Sequence, residues 1–189
     1  MITIIKQALE NIKENYCNLS QIDYSKLYLS FEQNIKETKY LERPFAYEFY
    51  HEFRKLMENS DIDFGRYVMQ AEVDKRYQHC FEDGKIPDFI MHKKNSNENL
   101  CVIEFKLATN LTKLKDDFDK LLDFKTNPEL KYTYAVEVII GDTTSLIEVK
   151  QKIEQLKNNI GEEIIVIEFN TSLWKAQESR IQYQKLLTI

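Results

Sequence analysis

Three short stretches between Arg66 and Lys106 dictate much of the architecture. From Arg66 to Tyr77, the residues Tyr67, Met69, Ala71 and Val73 alternate with Val68, Gln70, Glu72 and Asp74. That is the period-two pattern of a strand with two unlike faces. Glu82-Asp83-Gly84 supplies a turn, and a second strand follows from Ile86 to His92. The polar run Lys93–Asn99 turns the chain into a third strand, Leu100–Lys106. Strands joined by brief turns pair antiparallel, because a parallel partner needs a long crossover. An antiparallel three-stranded meander is therefore expected.

Helices are expected on either side of it. In the opening third, Ile4, Ile5, Ala8, Leu9 and Ile12 follow the rhythm of one buried helical face. From about Tyr40 to Glu58, Phe45, Ala46, Phe49, Tyr50, Phe53, Leu56 and Met57 fill a single arc of a second helix. Pro44 is tolerated there only in the first turn. Beyond Lys106, Thr112 is placed to cap a helix from about Lys113 to Phe124, and Tyr132–Ile140 reads as a strand. A helix from Ser145 to about Asn158, a buried strand Ile164–Phe169 and a helix from about Gln177 to Leu187 follow. With only 4 Gly and 3 Pro in 189 residues, no linker divides the chain. The expectation is one α/β domain over 1–189: a helical extension over 1–39, a core over 40–169 and a C-terminal helix over 170–189.

Charge narrows the function classes. The formal net charge is −5, so a passive nucleic-acid coat, which needs a broad basic footprint, is disfavoured. A carboxylate-lined metal site would itself push the balance negative. No apolar run exceeds four residues and Lys6 interrupts the start, so neither a membrane span nor a signal core is expected, and a cytoplasmic location is the default. Cys17, Cys80 and Cys101 form no CxxC pair, and His51, His79 and His92 lack metal-ligand spacing. The 11 Tyr and 11 Phe lie mostly at core periodicity, which packing explains better than base stacking.

The chemistry concentrates in Ile86-Pro87-Asp88-Phe89 and Val102-Ile103-Glu104-Phe105-Lys106. Glu104 and Lys106 share one strand face, Ile103 and Phe105 the other, and an antiparallel neighbour places Asp88 beside Glu104. Two carboxylates and an ammonium on an apolar sheet are costly unless paired or metal-bound. Mg²⁺ takes one or two protein carboxylates and keeps several waters, one of which can attack phosphorus. Lys106 would orient or deprotonate that water, or stabilise the charge growing on the phosphate. The plainer reading is a cross-strand salt bridge on a solvated face.

Pro87-Asp88, Glu104-Phe105-Lys106 and their strand setting resemble the signature of the PD-(D/E)XK nuclease superfamily, the restriction-endonuclease-like fold. The resemblance spans about Tyr40 to Phe169. Leu41-Glu42-Arg43, Glu72-Val73-Asp74-Lys75-Arg76, Pro87-Asp88 through His92 and Asp117-Phe118-Asp119-Lys120-Leu121 are similar, in this order, to the motifs of a compact prokaryotic branch. It implies a mixed sheet with an antiparallel three-stranded meander flanked by helices, and a nuclease using Mg²⁺, or alternatively Mn²⁺, on nucleic acid, with DNA favoured by analogy. Asp88, Glu104 and the Phe105 carbonyl would hold the metal, with Lys106 on the attacking water. In this superfamily a Glu of the first helix often joins them. Glu42 falls near the centre of the apolar arc, Glu52 at its edge and Glu48 further out, so Glu42 is the choice and Glu48 the reserve. Glu72 is a candidate to support the site or a plain exposed acid. Lys113 and Lys120 either reach phosphate or belong to a solvated face balanced by Asp116, Asp117 and Asp119. Two other readings stay open: a non-catalytic nuclease-fold module that binds protein or nucleic acid in a defence or repair system, and a homodimer whose partner completes the substrate groove.

Overall fold

The meander forms, and it is half of a larger sheet. The computed structural model describes residues 1–22, 35–59, 64–73 and 85–185, which fall into two units, Met1–Glu58 and Asn59–Ile189.

In the first unit, helix α1 (Ile2–Asn11) buries Ile4, Ile5, Ala8 and Leu9 at the expected spacing. A 3₁₀ turn at Glu14–Tyr16 follows, then β1 (Asn18–Ile22) and β2 (Ile35–Tyr40) pair antiparallel. Among the described residues of the stretch expected as a helical extension over 1–39, α-helix is confined to Ile2–Asn11. Helix α2 (Glu42–Asn59) starts and stops close to expectation, with Pro44 in its first turn and Phe45, Ala46, Phe49, Glu52 and Phe53 buried.

The second unit is built on six strands in the order β3-β4-β5-β6-β7-β8. Strands β3 (Tyr67–Ala71), β4 (Phe89–Lys93) and β5 (Asn99–Leu107) form the antiparallel meander. Residues 74–84, which include the expected Glu82-Asp83-Gly84 turn, lie outside the described residues. Strands β6 (Tyr134–Gly141) and β7 (Glu162–Asn170) then run parallel to β5, joined through α3 (Leu114–Thr126) and α4 (Thr143–Leu156). The result is an α/β architecture with a mixed sheet.

Both crossover helices cover one sheet face. Leu114, Phe118 and Leu121 of α3 and Leu146, Val149 and Ile153 of α4 share a cluster with Val102, Ala135, Ile139, Ile164 and Val166. The opposite face is also buried, through Ile103, Phe105, Val136, Val138, Ile165 and Ile167. Strands buried on both faces read as continuous apolar runs, which is why β6 and β7 stand out in the sequence.

Two helix starts differ from expectation. Asp142 accepts a hydrogen bond from the Ser145 N–H at 2.7 Å, so α4 begins at Thr143 rather than at Ser145. Thr112 does not cap α3; it sits in a 3₁₀ turn, Leu111–Lys113, and its hydroxyl meets Asn110 Oδ1 at 3.3 Å. The largest correction is at the C-terminus, where β8 (Lys175–Tyr183) replaces the expected helix. It pairs antiparallel with β7 from Glu162↔Tyr183 to Asn170↔Lys175. Without it β7, with six consecutive buried residues, would be an open edge. No described helix is long and apolar enough to cross a membrane.

Candidate functional site

Strand register assembles the site. Phe89 pairs with Ile103 and Ile90 with Val102, so one step further Asp88 stands opposite Glu104. The alignment is fixed by a hydrogen bond: Asp88 Oδ2 accepts the Phe105 N–H at 2.7 Å. On the back of these strands the Phe89 and Phe105 rings meet edge to face at 5.7 Å, an apolar anchor behind the polar residues.

The polar residues point towards α3. Lys120 Nζ lies 2.5 Å from Glu104 Oε2, and Lys106 Nζ lies 2.8 Å from Asp117 Oδ2. Asp117 belongs to the buried stripe of α3 with Leu114, Phe118 and Leu121, and Lys120 follows it by three residues on the adjoining side. The two ion pairs therefore cross-link helix and strand. Glu104 is 2% exposed, Lys106 7% and Asp117 8%, so this is no solvated surface bridge. The pairing shown for the motif lysine, Lys106 with Asp117, runs between strand and helix.

Glu137 completes the cluster and was not among the residues singled out from the sequence. It pairs in register with Glu104 on the neighbouring parallel strand and is fully buried. Among the described residues, neither of its carboxyl oxygens has a hydrogen-bond partner, and Glu104 Oε1 has none either. Burial, followed by the charges of Asp117 and Glu104, pushes the Glu137 carboxyl well above the usual range, against a smaller pull from Lys106. Glu104 moves the same way: burial and the Asp88 charge outweigh what Lys120 returns. Burial works against the charge of Lys120, yet the Glu104 carboxylate holds its ammonium above the ordinary value. The signal for Glu137 was present as an acid inside the apolar run Ala135–Ile140; that for Asp117 was its place on the Leu114, Phe118, Leu121 stripe.

Other expected residues take different positions. Glu72 supports Asp88 through its backbone, its N–H donating to the Asp88 carbonyl at 2.9 Å, while its side chain is exposed and its φ is +48°. Asp74, Lys75 and Arg76 of the same motif, with Cys80 and His79, lie outside the described residues. Lys113 is exposed on the 3₁₀ turn and does not share the placement of Lys120. His92 Nε2 meets Gln70 Oε1 at 2.6 Å across β3 and β4. Cys17 and Cys101 are buried free thiols, both pushed up by burial, Cys17 to about 11.

Glu42 and Glu48 belong to the first unit, and both are half-buried on α2. The acid that α2 buries is Glu52, 4% exposed and paired with Lys55 at 2.8 Å, where the helical wheel had put Glu42 at the centre. Glu48 and Glu52 line an open hollow of about 590 Å³ with Lys13, Tyr16, His51 and Lys55.

Among the described residues no three His, Cys, Asp or Glu side chains converge as a ready-made metal cage. What the second unit offers is a pair of opposed carboxylates, Asp88 and Glu104, with a third buried acid beside them. Hard oxygen donors in that number suit Mg²⁺, which keeps much of its water shell, better than a softer metal. Fold and site together define an α/β protein whose mixed sheet carries a buried carboxylate–lysine cluster beneath a crossover helix. No family model, curated protein or solved structure matches the chain.

Proposed function

We propose that this chain is a metal-dependent nuclease of the PD-(D/E)XK kind, a cytoplasmic phosphodiesterase acting on nucleic acid, with DNA as the substrate. One observation carries the reading: Asp88 is held opposite Glu104 by the Phe105 amide, with Lys106 two residues on, at the junction of an antiparallel meander and a parallel crossover strand. The restriction-endonuclease-like fold is proposed on the same strand order.

Asp88 and Glu104 would hold Mg²⁺ or Mn²⁺. In a strand a residue's N–H and C=O point to the same neighbour, so the Phe105 carbonyl faces the Asp88 side and is assigned as a further donor. When bound, the ion would supply charge neutralisation at the phosphate and an acidified water. Lys106 would position that water, with Asp117 holding the Lys106 ammonium in place at 2.8 Å.

The test is direct. Purified protein should nick or degrade DNA with Mg²⁺ or Mn²⁺, and Lys106→Ala should lower the rate by about 10²–10⁴-fold. A wild type inert towards DNA and RNA with both metals would remove the enzyme claim. The non-catalytic module would then be favoured if calorimetry showed no metal uptake sensitive to Asp88→Asn.

A further inference from the structure

An acidic chain that handles phosphates needs a local cation, and the cluster contains one in an unusual place. Lys120 Nζ sits on Glu104 Oε2 at 2.5 Å, where a metal ligand would have its cation. The Glu104 side chain is 3% exposed whereas that of Lys120 is 23% exposed, so the carboxylate is fixed inside and the lysine reaches it from the solvent side. Among the described residues the ammonium's other hydrogen bond is a long one, 3.4 Å to the Ile86 carbonyl. Its partner Lys106 is differently placed: that ammonium is enclosed with Asp117, at 9% and 12% side-chain exposure.

The charge count points the same way. Asp88, Glu104, Asp117 and Glu137 act on one another across the cluster, against the ammoniums of Lys106 and Lys120. With Glu137 in its neutral form, three carboxylates against two ammoniums leave one negative charge, which exchange of Lys120 for a divalent ion would cancel.

We infer that Lys120 is a placeholder at Glu104, displaced when a divalent cation binds there and thereby released to receive a substrate phosphate. The inference rests on the metal-dependent reading above. A lysine suits the exchange, being a point charge on a flexible four-carbon stem that can leave one acceptor for another without breaking bidentate geometry. Once Glu104 ligates the ion, two cations would crowd one buried carboxylate, and the more exposed one leaves. Metal and phosphate binding then become coupled, each favouring the state in which Lys120 has swung outward. Lys120 thus acts on the metal through Glu104 and positions the phosphate.

Calorimetric titration of Mg²⁺ and Mn²⁺ into wild type, Lys120→Met and Lys120→Arg tests this. Removing the competing charge should tighten metal binding by about tenfold or more in Lys120→Met, while Lys120→Arg, folded and still cationic, should stay near wild type. In anisotropy with a short DNA duplex and Ca²⁺, the metal should strengthen duplex binding by wild type at least several-fold more than by Lys120→Met. Metal uptake that is unchanged or weaker in Lys120→Met overturns the placeholder while leaving the metal site standing. No uptake by either protein removes the metal reading itself, and the inference with it. Uptake by Lys120→Met alone supports it.

Discussion

Glu137 places a fully buried carboxyl where no donor among the described residues reaches it, beside two other acids. Burial without a partner favours the neutral form, so the folded protein binds a proton there that the unfolded chain releases. The sign follows from linkage. A carboxyl raised in the folded state adds its stability below the ordinary carboxyl range and loses it as pH climbs towards the folded value. Glu137→Gln keeps the shape and removes the titration. With chelator present, its stability advantage over wild type should widen as pH rises from about 5 to about 8, by at most about 1.4 kcal/mol per unit. Urea midpoints across that range measure it; a gap that stays flat would mean that Glu137 is not held protonated. Glu168 provides the contrast. It too is an acid on a buried strand, but Lys150 lies 3.3 Å away, and its upward shift from burial is partly offset by that ammonium.

At the scale of elements, β8 closes the sheet against β7, and the turn into β7 is tight. Gly161 has φ +133°, and a Cβ added there would collide with the Tyr183 backbone at the end of β8. Gly161→Ala should cost about 2 kcal/mol or more in urea unfolding, through both the backbone angle and the clash. A loss under about 0.5 kcal/mol would mean that this seam yields easily. The same seam explains what was and was not legible. Strands β4 and β5 could be read because alternation and brief turns are local. For β8 the local residues argued otherwise: Lys175, Ala176, Gln177, Glu178 and Arg180 suit a helix, and only Ala176, Ile181 and Tyr183 are buried. Pairing with β7, a non-local partner, decides the outcome. The site shows the same division. Asp88, Glu104 and Lys106 are recognisable from spacing along two strands. The ties from Asp117 and Lys120 depend on how α3 lies across the sheet, and the alignment of Glu137 with Glu104 depends on a parallel register that no local pattern encodes.

For the whole molecule, a net charge of −5 must coexist with a phosphate-bearing substrate in the proposed reading. If Lys120 and one neighbouring cation carry the phosphate contacts, duplex binding should depend only mildly on salt. Each neutralised phosphate contributes about −0.9 to the slope of log affinity against log salt, so a slope of about −1 to −2 is expected with Ca²⁺ held constant. Anisotropy titrations over a range of KCl measure it, and a slope steeper than about −4 would mean a broad basic surface rather than a local one.

Where β4 meets β5, the register shifts between Met91 and His92: Met91 pairs with Cys101, but His92 pairs with Asn99. The bulge lies between the exposed turn at 94–98 and the Asp88–Glu104 end of the hairpin. Irregularity is thus absorbed before it reaches the site, much as an expansion joint isolates one span of a bridge from the next. The tip of this hairpin is where a label, a tag or extra residues can be grafted while the working end keeps its alignment.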